Sequence, residues 1–200
     1  MKKMLTTAFV VLLALAATGC DAFHKLSSDH KKSAQGRPYE LIVVCSQDKW
    51  TGEVGDTLRS VLTAPVPYLN QTEPLFDVLR VTERGFSGLV ADHRNILQVV
   101  TDPRLDSASV AVQYDVTARP QIILTLQGPD NRRLTDYVSA HREQLVQVLE
   151  KAERDRALAS ASQYNETGIR QAIRKRFDVD MTVPKGYLLA AEQPDFLWAR

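Results

Sequence analysis

Tyr39-Glu40-Leu41-Ile42-Val43-Val44-Cys45 is the stretch on which the fold turns. After Glu40 it is a short, β-branched, wholly apolar run, the composition of a strand buried on both faces of its sheet. It reads as the central strand. Beyond the polar step Ser46-Gln47-Asp48, Thr51 is placed to cap a helix. Glu53 lies in that helix's first turn, where a carboxylate is favoured by the dipole, and Val54, Leu58, Val61 and Leu62 form one stripe. Strand, turn and helix thus make one unit. Ala64-Pro65-Val66-Pro67-Tyr68 and Pro74 then enclose an extended surface connection, because proline fixes its own torsion and keeps the preceding residue out of the helical region.

Three or four more strands are expected downstream, from the candidates Phe76–Val81, Asn95–Val100, Ser109–Val116 and Gln121–Gln127. The third of these alternates Val110, Val112, Tyr114 and Val116 with Ala111, Gln113 and Asp115, the period of a strand with one wet face, which favours antiparallel pairing. Pro129-Asp130 opens the longest periodic segment. Leu134, Val138, His141, Leu145, Leu149 and Ala152 keep helical spacing there, predicting a helix that covers the sheet, with a charged then alanine-rich continuation, Glu153–Gln163, that either projects past its edge or ends in a frayed turn. A second helix is expected over Thr167–Arg176, then strands at Asp178–Val183 and Gly186–Ala190, and a last apolar fragment, Phe196-Leu197-Trp198. The expected fold class is therefore α+β: a domain over residues 37–178 with a mixed or largely antiparallel sheet and the long helix packed on one face. The opening strands of a second, incomplete α+β unit follow at 179–200.

Upstream of the domain the sequence carries an address. Lys2 and Lys3 form a positive n-region, Leu5 to Ala17 an apolar h-region, and Ala17-Thr18-Gly19-Cys20 brings small residues up to a cysteine, the pattern of a lipoprotein signal peptide over residues 1–19. The apolar run is too short for a permanent membrane-spanning helix. Cys20 is accordingly expected to be lipidated, and about two acyl chains suffice for stable anchoring. Residues 20–36 are polar, rich in serine and lysine and without aliphatic periodicity, and read as a flexible tether. The expected location is the bacterial cell envelope, on the outer membrane, with the domain facing the periplasm.

Charge and cysteine content exclude several classes. The whole chain has a formal charge of +1, which becomes −1 once Lys2 and Lys3 leave with the signal peptide, so nothing in its balance points to a nucleic-acid partner. With Cys20 lipidated only Cys45 remains, which leaves no intramolecular disulfide. His24, His30, His93 and His141 lack the paired spacing of a metal site, and no phosphate loop, dinucleotide fingerprint or serine elbow is present. No metal and no cofactor is expected.

Arg37-Pro38-Tyr39-Glu40, Gly52-Glu53-Val54-Gly55-Asp56-Thr57-Leu58, Glu73-Pro74-Leu75-Phe76-Asp77-Val78, His93-Arg94-Asn95-Ile96 and Pro184-Lys185-Gly186-Tyr187 before Trp198 form a set of local patterns. Together they resemble an uncharacterised family of envelope lipoproteins from Bacteroidota, domain-of-unknown-function family 4837. The resemblance implies class, location and a longer natural chain, and assigns no catalytic residue.

Candidate chemistry is sparse. Cys45, ending the first strand, is a possible nucleophile with His93 as base and Asp48 or Asp77 as orienter, although a cysteine closing an apolar run is more often a small core residue. In Asp92-His93-Arg94-Asn95, Arg94 has the fork to clamp a carboxylate or phosphate while His93 moves a proton; the alternative is a turn whose polar groups bond the backbone. Arg170, Arg174, Lys175 and Arg176 suit anionic headgroups or simply a solvated helix face, and Trp50 suits a ligand rim or a packed lid. The leading expectation is a non-enzymatic, membrane-anchored binding or assembly module with envelope proteins as partners. The alternative is an envelope hydrolase, which requires Cys45, His93 and Arg94 to converge in one cleft.

Overall fold

The computed structural model of the chain describes residues 31–200, so the signal peptide, Cys20, His24, His30 and the tether up to residue 30 lie outside the described residues. In chain order the elements are β1 (Lys32–Ser33), β2 (Glu40–Val44), α1 (Gln47–Thr51), α2 (Glu53–Leu62), β3 (Asp77–Val81), β4 (Asn95–Thr101), β5 (Ser109–Tyr114), β6 (Ala118–Arg119), β7 (Ile122–Gly128), α3 (Asn131–Ala140), α4 (Arg142–Gln163), α5 (Thr167–Phe177), β8 (Leu189–Gln193) and β9 (Phe196–Ala199). Two 3₁₀ turns, Glu83–Gly85 and Gly88–Val90, join β3 to β4.

The main sheet is mixed, in the order β3-β2-β4-β7-β5. β2 pairs in parallel with both β3 and β4, and β4 in parallel with β7. Only β5 runs antiparallel, along β7. Of the two sheets that the sequence allowed, the mixed one is realised and the largely antiparallel one is not, for a physical reason. The unbroken apolar run of β2 can be satisfied only between two neighbours with both faces covered, whereas alternating β5 tolerates an edge.

One face of the sheet is closed by helices. Leu41, Val43, Cys45, Leu97, Val99, Ile122, Leu124 and Leu126 meet Val54, Leu58 and Leu62 of α2, Leu134 and Val138 of α3, and Leu145 and Leu149 of α4 in one core. The opposite face is covered only in part. Ile42, Val44, Ile96 and Ile123 lie under Val81 of β3 and under Phe86 and Val90 of the 3₁₀ segment, and the rest of that face, with Gln98, Val100, Thr125, Gln127 and Gln113, is half-buried or exposed.

Three local differences from the sequence reading have clear causes. Thr51 does not cap the first helix: Ser46 caps α1, and Gly52 separates α1 from α2 without a side-chain cap. The long expected helix is two, because His141 leaves helical torsions (φ −117°, ψ 25°) and bonds its Nδ1 to the Tyr137 carbonyl at 3.0 Å. The end of the expected tether is paired, with Lys32–Ser33 beside Ala118–Arg119 and Gln35 beside His93, so regular structure begins before Pro38.

Past α4 the chain forms a small unit of α5 and the β8–β9 hairpin. Ile169, Ile173 and Val183 pack with Leu197 and Ala199 there, in a cluster separate from the main core. Helix α5 thus packs with the residues that follow it, Val183, Leu197 and Ala199. Asp178–Val183 is not a strand. Asp178 takes a left-handed conformation (φ 52°) that stops α5, and the segment returns so that Pro184 bridges Asn165.

Candidate functional site

His93 and Arg94 sit at the amino-terminal edge of the sheet, just before β4, in the most elaborate polar network of the described residues. Glu153 of α4, 3% exposed, accepts from Asn95 Nδ2 at 2.7 Å and from Arg94 Nη2 at 2.9 Å. Asn95 also donates to the Glu40 carbonyl at 2.9 Å and accepts from Arg156 Nη1 at 3.0 Å. His93 places Nδ1 3.1 Å from the Asn95 carbonyl and Nε2 3.3 Å from Glu40 Oε1. Desolvation raises the Glu40 carboxyl, but hydrogen bonds from Arg37 and from His93 outweigh it and hold the group below its ordinary range. Burial pushes the Arg156 guanidinium down, opposed by Glu153.

This network is an attachment. It fastens α4 to the base of β4, while Asp92 receives Lys32 at 2.9 Å and its carbonyl receives the Gln35 amide at 2.9 Å, fastening the incoming chain. Gly36 (φ 94°) lies so close to the His93 ring that an added Cβ would stand 2.1 Å from Nε2, which leaves no room there for a substrate. The chemistry of His93 and Arg94 is thus spent on packing.

Cys45 is at the other end of the sheet. Val44 is level with Gln98, so Cys45 is level with Val99, six residues along β4 from His93 and roughly 20 Å away at the rise of a strand. The expected dyad does not form. Cys45 is 1% exposed, and burial pushes its thiol up, away from the thiolate. Of the two expected orienters, Asp77 pairs with Arg37 at 2.9 Å beside Glu40, and Asp48 is in the first turn of α1. His141 is tied up within its own helix pair, stacked on Tyr137 with ring centroids 4.1 Å apart. Trp50 is half-buried against the core with the Arg59 guanidinium 4.6 Å over its ring, so it is a packed lid rather than a rim.

The carboxyl ends of β2 and β4 open instead onto a cleft of about 370 Å³, walled by Lys49 of α1 and by Glu83 and Phe86 of the 3₁₀ segment, with Val44, Gln98 and Thr101 along its base. Strand order reverses here: β2 leads outward to β3, and β4 lies on the opposite side. Open parallel sheets bind their ligands in the crevice at such a reversal. Neither Lys49 nor Glu83 has an ion-pair partner among the described residues, so an ammonium and a carboxylate are presented beside the amide of Gln98. A larger groove, about 490 Å³, runs between α2 and α4 along Val61, Pro65, Leu75 and Val146, but its charged groups, such as Arg142 and Glu143, are ordinary helix-surface residues.

A family model described as a domain of unknown function, DUF8532, matches residues 34–162. The chain belongs to the DUF8532 family. The resemblance read from the sequence pointed to family 4837; what holds is the coarser statement, membership of an uncharacterised family. No curated protein and no solved structure matches the chain. The DUF8532 match begins at the paired segment before β2 and ends within the last turn of α4, so it includes both the polar attachment and the cleft and leaves out the α5–β9 unit. Sequence reasoning missed Glu153, Arg156, Lys49 and Glu83. Glu153 carried a faint signal, a carboxylate recurring one turn after Leu149 on the buried stripe of α4; the walls of the cleft carried none, because Lys49 and Glu83 meet only through the crossing of strands.

Proposed function

We propose that this DUF8532 protein is an envelope lipoprotein, anchored through an acylated Cys20 in a bacterial membrane, by preference the outer membrane. Its domain serves as a non-catalytic, periplasm-facing binding or assembly module, of the kind suggested by the resemblance to Bacteroidota lipoproteins. The observation that carries the binding reading is the half-covered sheet. Largely parallel sheets are ordinarily closed on both faces, and here the face bearing Gln98, Val100, Thr125 and Gln127, continuous with the cleft at Lys49 and Glu83, has no cover within the described residues. The hydrolase alternative has no such support, since Cys45, at the end of β2 and level with Val99, stands roughly 20 Å along the strands from His93.

A photo-crosslinking residue placed at Gln98, and separately at Arg132 on the exposed surface of α3, tests the binding face in the acylated protein in its native membrane. A defined adduct from position 98 that is absent from position 132, and is lost on Val100→Glu, is expected. Equal labelling at both positions would overturn the assignment. Intact mass with and without Cys20→Ala tests the anchor independently.

A further inference from the structure

Strand β4 is longer than its neighbour β2. Its pairing with β2 ends at Val44 and Gln98, whereas its pairing with β7 continues through Val99, Val100 and Thr101. On the β2 side these last residues have no strand partner. The chain leaves β2 for α1, with the Cys45 amide donating to the Val81 carbonyl of β3 at 3.1 Å, and β3 itself ends at Val81 and turns into the 3₁₀ segment. The sheet therefore has a notch beside the end of β4, and the cleft of about 370 Å³ occupies it, with Val99, Val100 and Thr101 in its lining. An unpaired strand edge offers a row of N–H and C=O groups to any extended chain laid beside it, and sheets take up peptides in this way. At about 3.3 Å per residue the free edge is roughly 10 Å long, the length of two or three residues of ligand.

The walls add a preference for charged ends. Lys49, half-buried, is the one base among the lining residues, and Glu83, exposed, is the one acid. They form no ion pair with each other or with any other group among the described residues, while Asp102, which follows β4 in the chain, is already held by Arg104 at 2.7 Å. An ammonium and a carboxylate left apart in one cleft match a small ligand that carries a carboxylate and an ammonium of its own. Phe86, Val44 and Val100 give the same cleft an apolar lining, which suits a side chain between those two charges.

We infer that the cleft binds a short free peptide as a strand added to β4, with its backbone on the free edge at Val99–Thr101, its α-carboxylate toward Lys49, its α-ammonium toward Glu83 and an apolar side chain against Phe86. The inference rests on the reading of this face and its cleft as a binding surface, and gives that reading a ligand class. The full acylated chain in detergent solution is titrated calorimetrically with L-alanyl-L-leucine, with its N-acetyl derivative and with its carboxyl-terminal amide. The parent is expected to bind the free dipeptide, and each blocked form about fivefold more weakly, the upper end for a solvent-exposed ion pair. Lys49→Met should abolish the distinction between carboxylate and amide and keep that between ammonium and acetyl; Glu83→Gln should do the reverse. Neither substitution touches a core residue, and the loss of one distinction with the other retained does not arise from misfolding. Equal binding of the three forms by the parent, or distinctions that survive both substitutions, overturns the assignment of the ends. No binding of the dipeptide by protein that still gives the adduct from position 98 overturns the peptide and leaves the binding face standing. Loss of that adduct as well overturns the binding reading and the peptide together.

Discussion

Glu153 is a buried carboxylate between two arginines and an amide, and the physics of such a site is asymmetric. Removing one member of a buried ion cluster leaves the others charged and unpaired, which costs about 3–5 kcal/mol, more than the intact cluster contributes. Glu153→Leu is therefore expected to lower the urea midpoint sharply, because Arg94 and Arg156 lose their common partner; a midpoint within error of the parent would show that solvent already compensates the cluster. Gly36→Ala is expected to destabilise as well, through the left-handed torsion and the collision with His93, and His93→Ala should relieve only the second part. The pH dependence follows from Glu40. Its folded-state carboxyl is held below the ordinary value, so its contribution to stability is fully present above the unfolded-chain value of 4.5 and is lost as pH falls through the lower folded value. Glu40→Gln should flatten the acid limb of a stability–pH curve; an unchanged limb would mean that other carboxylates govern it.

At the scale of elements, α2, α3 and α4 hold the sheet from one side, and Leu149 of α4, fully buried, is the apolar counterpart of Glu153 one turn on. Leu149→Ala should cost about 2–5 kcal/mol in denaturant unfolding, without changing the acid limb that belongs to Glu40. These elements were legible because each announces itself within ten or fifteen residues. The apolar run of β2 appears where its pattern places it, and β5 takes the antiparallel pairing its period favoured, but that period does not mark a buried face, since Val112 and Tyr114 are exposed along with Ala111 and Gln113. The division at His141 was not legible, since Leu145 and Leu149 keep helical spacing across it and the interruption is a matter of backbone torsion. The polar site was legible in location and not in role. Asp92-His93-Arg94-Asn95 is visibly dense, but the partners that make it an attachment, Glu40 and Glu153, lie 53 residues before His93 and 59 residues after Arg94, a distance over which only the topology decides what meets what. For the same reason Cys45 and His93, both at strand ends, could not be assigned to opposite edges until the parallel pairing of β2 with β4 was known.

For the molecule as a whole, the helix-covered core of the sheet and the cluster of α5 and β9 share no residue, and the connection between them is the exposed stretch of α4 after Arg156. A unit of fewer than about forty residues seldom buries enough surface to be stable alone, and the core of the α5–β9 unit is three buried side chains, Ile169, Ile173 and Val183. It should therefore open more readily than the body that carries it. Hydrogen exchange in the unattached protein is expected to show rapid exchange of the amides of α5, β8 and β9, and slow exchange, limited by global unfolding, for β2, β4 and β7. Shortening the chain after Gln163 should leave the unfolding free energy of the body in urea within about 0.5 kcal/mol of the parent, because no core residue of the sheet is lost. A marked fall would mean that the unit folds back to support the sheet, contrary to the separation of the clusters.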